Sequence, residues 1–254
     1  MSRLVQGDVG SGKTVVAAAL CFVATKGGYQ SALMAPTEIL AEQHYKTFVA
    51  ITENMGKRCA LLTGSLTKKQ KTEIKERLKN GEIDVIIGTH ALIVNDVEFS
   101  NLGLVITDEQ HRFGAGQRDK LSAKGENPHK LVMSATPIPQ TLAYILYGDL
   151  DISIIDEYPK GRQKIDTYSV DSSYRARIYN YIKKFLNQGR QAYIVCPLVE
   201  ENEELGLTSA NEYYEKLRNN EFEGYTIGLL HGKMTAKEKE SVMTKFAKGE
   251  IQLL

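Results

Sequence analysis

Short runs of consecutive apolar residues alternate along this chain with longer stretches in which apolar positions recur at helical spacing. The runs at residues 3–6, 31–35, 59–62, 85–88, 104–107 and 130–134 are strand-like in length and content. Between them, residues 14–25, 38–52 and 68–80 carry helical periodicity, and the last of these ends on Asn80-Gly81, a C-terminal stop. Strand–helix alternation of this kind predicts an α/β fold, with a mostly parallel sheet covered by helices on both faces.

Near Gly148 the rhythm loosens. Residues 149–167, with Pro159, Gly161 and Arg162, read as a connection between domains. A second series follows: a helix over 173–187, a strand over 191–197, a helix over 210–219, a strand over 225–230 and a helix over 236–248. The final Ile251-Gln252-Leu253-Leu254 resembles the start of another buried strand. Two domains are therefore expected, over residues 1–157 and 158–254. No internal repeat occurs at solenoid spacing.

Composition narrows the class. The 254 residues hold 32 Lys plus Arg against 31 Asp plus Glu, with 42% apolar residues. These values exclude collagen-like, disordered and disulfide-scaffold chains. A net charge of +1 excludes a histone-like polycation, so any nucleic-acid contact has to come from local segments. Cys21, Cys59 and Cys196 are odd in number and widely spaced, which supports neither a zinc site nor a disulfide framework. The longest apolar run, residues 15–24, is about half of a bilayer crossing, and the N-terminus enters a glycine-rich loop almost at once. A cytoplasmic protein without membrane association is expected.

That loop is Gly7-Asp8-Val9-Gly10-Ser11-Gly12-Lys13-Thr14, a match to G-x-x-x-x-G-K-[ST] between an apolar strand and an apolar helix. Glycines let backbone N–H groups curl around phosphate oxygens, and the following helix points its positive end at the same anion. ATP and Mg²⁺ are the expected cofactors. Lys13 is expected to bridge the β- and γ-phosphates, and the Thr14 hydroxyl to ligate Mg²⁺. A second apolar strand runs into Asp108-Glu109-Gln110-His111, placing two carboxylates at the sheet edge where ligands of open α/β sheets bind. Asp108 suits Mg²⁺, directly or through water. Glu109 suits orienting and deprotonating the attacking water. His111 and His90 suit either catalysis and binding or ordinary loops.

Ser134-Ala135-Thr136-Pro137, after a third strand, completes a set that resembles superfamily 2 helicases. The fuller wording is similar to the RecG family of bacterial branched-DNA translocases. It includes residues 6–14, 35–44, Leu62-Thr63-Gly64-Ser65, Gly88-Thr89-His90-Ala91-Leu92, Asp108 to Gly114, Thr136-Pro137-Ile138-Pro139, Val195-Cys196-Pro197-Leu198 and Leu230-His231-Gly232. Ser11 and Gln110 favour this family over the sister translocase that couples transcription to repair. The resemblance implies two RecA-like P-loop NTPase lobes, the second incomplete, and an ATP-dependent motor on branched or forked DNA. It implies catalytic roles for Lys13, Asp108, Glu109 and His111, and coupling roles for Ser134 and Thr136. It also implies that Pro36, Thr37, Thr63, Gly64, Thr89, His90, His231 and Gly232 follow the phosphate backbone of DNA. Short hydroxyls, backbone amides and histidine can contact phosphates without reading bases. Singly, each threonine also suits a turn or a helix cap. For Lys68, Lys69, Lys71 and Lys75, a solvated helix face is the better reading than DNA attraction.

Two departures from the family stand out: Gln140 where arginine is usual, and Lys233 where arginine is common. A lysine there keeps the charge but loses the bidentate fork. The family's N-terminal wedge domain, its adenine-recognising segment and the second lobe's final motifs have no counterpart here. One of those motifs holds an arginine that reaches the γ-phosphate. Two readings follow: a partial helicase motor, expected as a monomer without an obligate protein partner, or a nucleotide- and DNA-binding module with little turnover. A third, an ATPase acting on proteins, fits the Thr63-Gly64 and Thr89-His90 segments less well.

Overall fold

Every strand-like run of the first half joins one sheet in a computed structural model of the chain. The structure describes residues 1–52, 56, 58–108, 120–136, 150–157, 165–196 and 210–254. They divide into two units, Met1–Lys164 and Ile165–Leu254. The boundary expected after residue 157 falls beside residues 158–164, outside the described set.

The first unit has seven strands: β1 (Ser2–Gly7), β2 (Gln30–Met34), β3 (Cys59–Leu62), β4 (Val85–Gly88), β5 (Leu102–Asp108), β6 (His129–Ser134) and β7 (Asp151–Ile155). Their order is β3-β4-β2-β5-β6-β1-β7, and every pairing is parallel. Helices α1 (Lys13–Lys26), α2 (Glu38–Thr52) and α3 (Lys68–Lys79) make crossovers. The alternation within the strands sorts two cores. Leu33, Ile87, Leu104, Ile106, Leu131 and Met133 pack with Ala17, Ala18 and Cys21 of α1 and Ala41 and Phe48 of α2. Ala32, Met34, Ile86 and Val105 face the other way, with Leu78 of α3, Leu92 and Leu121. A strand buried on both faces has no polar side to show, which is why these runs are continuously apolar. Burial holds the Cys21 thiol up at about 12, so it packs as a small apolar residue.

The segment from 149, read from sequence as a connection, instead begins with β7. Arg3, Leu4, Val5, Gln6 and Gly7 of β1 pair with Asp151, Ile152, Ser153, Ile154 and Ile155. β7 is an edge strand with a half-exposed face, so it lacks the unbroken apolar run of a central strand. Arg3 holds it further, donating to Ser153 Oγ at 2.7 Å and to Asp151 Oδ2 at 3.1 Å.

The second unit contains α4 (Arg175–Leu186), α5 (Ala210–Lys216) and α6 (Ala236–Ala247). Tyr179, Leu186, Leu217, Phe222 and Leu253 form its core. Leu253 bridges in parallel to both Ala192 and Ile227. The strands expected over 191–197 and 225–230 are thus regular only where Gln252–Leu254 lies between them, through bonds such as Ala192 N–H to Gln252 O and Gly228 N–H to Leu253 O.

Candidate nucleotide and nucleic-acid site

In a parallel sheet all strand ends of one kind lie on one edge. The register sets them level: Gln6 pairs with Ser134, Asp108 with Met133, Met34 with Thr107 and with Gly88, and Leu62 with Gly88. Strand order then divides the edge. β5, β6 and β1 deliver Asp108, Ser134 and the loop of residues 7–14. β3, β4 and β2 deliver Thr63, Thr89 and the segment that begins at Ala35.

The loop is drawn into a cradle by its glycines. Gly10 and Gly12 have φ of 81° and 99°, the left-handed region that side chains disfavour. A Cβ on Gly7 would lie 2.6 Å from Ser11 Oγ. Gly12 caps α1 without a side-chain hydrogen bond, and its carbonyl accepts from Val15 and Val16 N–H, so the Lys13 and Thr14 amides and the positive end of the helix are left for an external acceptor. The Lys13 ammonium donates to Gly7 O at 2.6 Å and Asp8 O at 2.9 Å. Asp8 tightens the turn, its Oδ1 accepting from Val9 N–H at 2.7 Å and its carbonyl accepting from Ser11 N–H at 3.1 Å. Ser11 Oγ is buried without a hydrogen-bond partner among the described residues. Positive-φ glycines, an uncapped helix start, a lysine over the loop and an orphaned hydroxyl fit a chain of phosphates.

Asp108 is buried, and its Oδ2 lies 2.7 Å from His44 Nε2 of α2, which is buried as well. Sequence reasoning placed His44 inside a matching segment without assigning it a role. The available signal was its position two turns into the helix that starts beside Thr37. Ser134 Oγ lies 3.0 Å from Thr136 Oγ1 and accepts from Thr136 N–H at 3.3 Å, so these two hydroxyls form one local cluster. Glu109, Gln110, His111 and Gln140 lie outside the described residues.

On the other half of the edge, Thr37 caps α2, its Oγ1 accepting from Leu40 N–H at 3.3 Å. Thr63 is buried, with Oγ1 3.0 Å from Ser65 Oγ. Glu38 Oε1 accepts from Ser65 N–H at 3.0 Å and so ties the Thr37 segment to the Gly64 turn. Thr89 Oγ1 is buried without a partner among the described residues, while His90 is exposed. β4 runs so close to β3 that a Cβ on Gly88 would lie 2.2 Å from Leu62 O. Pro36 is half-buried and Gly64 exposed. In the second unit His231 is half-buried, its Nδ1 likewise unpartnered among the described residues, and Gly232 is exposed. The lysines of α3 are not uniformly solvated. Lys68 and Lys69 are exposed, but Lys71 donates to Gly64 O at 2.6 Å and Lys75 to Asp96 Oδ2 at 2.6 Å. The latter bond holds the Asp96 carboxyl below its usual range.

The sequence matches the DEAD/DEAH box helicase pattern over residues 1–145, more than half of the chain. The chain belongs to the DEAD/DEAH box helicase family. Residues 176–254 match the helicase conserved C-terminal domain. Among curated relatives, the ATP-dependent DNA helicase RecG of Bacillus subtilis (strain 168) is 52% identical, covering 100% of this chain and 37% of its own length. RecG of Aquifex aeolicus (strain VF5) is also 52% identical, covering 99% of this chain and 32% of its own length. The chain thus spans about a third of the length of these relatives. A solved structure of RecG bound to a three-way DNA junction superposes with a TM-score of 0.75 at 45% identity, covering 100% of this chain and 33% of that one. Saccharomyces cerevisiae Dbp5 L327V, bound to RNA and ADP BeF3, has the same fold, with a TM-score of 0.69 at 16% identity, covering 100% and 65%. Among the described residues no helix is long and apolar enough to cross a membrane.

Proposed function

We propose that this chain is the motor portion of a RecG-type, ATP-dependent DNA translocase that works on branched or forked DNA in recombination and fork repair. The division of one sheet edge into a phosphate-cradling half and a hydroxyl-lined half carries this reading. The first half suits a nucleotide; the second suits a nucleic-acid backbone, whose phosphates accept from hydroxyls and amides without regard to base.

The backbone amides of Gly10, Gly12, Lys13 and Thr14 and the Lys13 ammonium would hold the β- and γ-phosphates of ATP. The Thr14 hydroxyl and the Asp108 oxygen that His44 leaves available would hold Mg²⁺. Bound Mg²⁺–ATP supplies the phosphoanhydride and the cation that neutralises charge developing on its oxygens. Glu109, one residue past β5, takes the proton of the attacking water in an in-line displacement, with His111 beside it in sequence. Ser134, which ends the strand between β5 and β1, and Thr136 just beyond it pass the nucleotide state to the DNA-facing segments. His44 joins the halves directly, because α2 starts at the Thr37 segment and holds Asp108.

Nucleotide binding and DNA-stimulated hydrolysis test this assignment. Lys13→Ala is expected to weaken nucleotide binding by about 100-fold or more while the thermal melt stays cooperative. Glu109→Gln is expected to keep binding and lower turnover by roughly 10²–10⁴. Unchanged nucleotide affinity in Lys13→Ala would overturn the cradle assignment.

A further inference from the structure

β1 lies between β6 and β7, and its side chains alternate between two faces. Val5 packs with α1 and α2, while Leu4 packs the other way with Val132 and Ile152, its register partners on the flanking strands. Two residues on, the same alternation puts Gln6 on the face of Leu4, in register with Ser134 and Ile154. Ser134 follows Val132 by two residues on β6 and so shares that face. Asp108 pairs with Met133, which faces α1 and α2, so the Asp108–His44 bond lies on the opposite side of the sheet.

A glutamine is an odd occupant of this position. Gln6 is 7% exposed, and its Oε1 is buried without a hydrogen-bond partner among the described residues. An unmade bond at a buried acceptor destabilises a fold, and a methionine of similar length avoids it. Where this protein buries a glutamine to hold its fold, the bonding is complete. Gln30 Nε2 donates to Leu78 O at 2.9 Å and Ile83 O at 2.8 Å, and its Oε1 accepts from Ser100 N–H at 2.8 Å and Asn101 N–H at 3.0 Å. Ser134 has the deficit complementary to that of Gln6. A hydroxyl carries one hydrogen. When Thr136 donates across the 3.0 Å contact between the two hydroxyls, the Ser134 hydrogen is left with Thr136 O at 3.4 Å, beyond the usual O–H···O reach of about 2.5–3.0 Å. An acceptor without a donor therefore stands beside a donor with a poor acceptor, on one face of two strands about 4.8 Å apart. Gln6 also adjoins the part that a nucleotide would move. Gly7, the next residue, holds the Lys13 ammonium on its carbonyl at 2.6 Å, and phosphates compete for that ammonium.

We propose that Gln6 is a positioning residue that ties the phosphate loop to Ser134. As Lys13 leaves Gly7 O for the phosphates, Gly7 and Gln6 shift, and the Ser134 hydroxyl exchanges Thr136 O for Gln6 Oε1. The new bond holds the arrangement in which the DNA-facing segments respond to nucleotide, so one hydrogen bond has two discrete settings that both ligands bias. The proposal rests on the reading of Ser134 and Thr136 as coupling residues.

The test reads coupling from binding alone, so slow turnover does not affect it. Affinity of the 254-residue chain for a fluorescein-labelled forked duplex is measured by anisotropy, with and without saturating AMP-PNP and Mg²⁺, alongside a thermal melt of each variant. The wild-type chain is expected to show a nucleotide-dependent change of about fivefold or more. Gln6→Met and Gln6→Leu should each shrink that change about three- to tenfold, the size of one net hydrogen bond. Their affinity for DNA without nucleotide should stay within about twofold of wild type, because the bond is not made in that arrangement. Both should melt at the wild-type temperature or above it, since neither loses a bond that the fold already has. Ser134→Ala should shrink the change by a similar factor, and joining it to Gln6→Met should add nothing, because both remove the same bond. Wild-type coupling in both Gln6 variants overturns the assignment. So do losses that multiply in the double variant, or a melt lowered in both Gln6 variants, which marks the amide as a structural one. A wild-type chain whose grip on DNA ignores AMP-PNP removes the coupling reading and this assignment together, whereas coupling lost in Ser134→Ala and kept in the Gln6 variants removes the assignment alone.

Discussion

His44 and Asp108 meet through a single buried hydrogen bond, yet they come from different halves of the sheet edge. With His44 gone, one oxygen of a buried carboxylate has no partner, which costs about 1–3 kcal/mol, and the carboxylate is free to rotate. Partners that orient a metal-holding carboxylate are typically worth about 10–100-fold in metal affinity or activity. His44→Ala is accordingly expected to lower DNA-stimulated turnover by that factor and to raise the Mg²⁺ concentration needed for half-maximal rate. Nucleotide affinity without Mg²⁺ should stay as in wild type. An unchanged Mg²⁺ requirement would remove His44 from the site. The glycines, Lys13, Thr14 and Asp108 were legible in the sequence because each follows an apolar strand at a motif spacing. His44 was not, since its importance lies in which strand its helix packs beside, a matter of sheet order.

At the scale of elements, the helices α3 and α6 start with equivalent caps of different chemistry. Gln70 completes the first and cannot titrate; Glu238 completes the second, and its bonds to Thr235 hold its carboxyl below the ordinary glutamate range. A depressed folded value means that the cap's contribution is present above the unfolded pKa and is lost as pH falls through the folded one. On acidification below about pH 4, amide protection at Thr235 and Glu238 should fall while that at Thr67 and Gln70 persists. Glu238→Gln should abolish the difference; hydrogen exchange at pH 7 and pH 3 reads it, and equal losses at both caps would contradict it. The central strands and long helices were readable from periodicity, since burial on both faces leaves an unmixed apolar signature. β7 was not, because one partner strand and a half-exposed face leave it looking like a loop.

For the whole molecule, a net charge of +1 and a hydroxyl-lined edge predict how DNA binding responds to salt. Contacts made through threonines and amides displace few counterions, so the slope of log affinity against log salt should be shallow, about −2 to −4. A slope steeper than about −8 would mean that a basic surface, rather than this edge, holds the DNA. The parallel sheet that sorts the edge also dictates the order in which the site can come into being. β1 carries the phosphate loop near the N-terminus, yet its neighbours are β6 and β7, supplied by residues 129–134 and 151–155. Contacts this distant in sequence form late and slowly. A nascent chain that has emerged only through β5 contains every residue of the phosphate loop with neither wall of its cradle, so acquisition of nucleotide binding during synthesis should mark the arrival of β7 rather than of the loop itself.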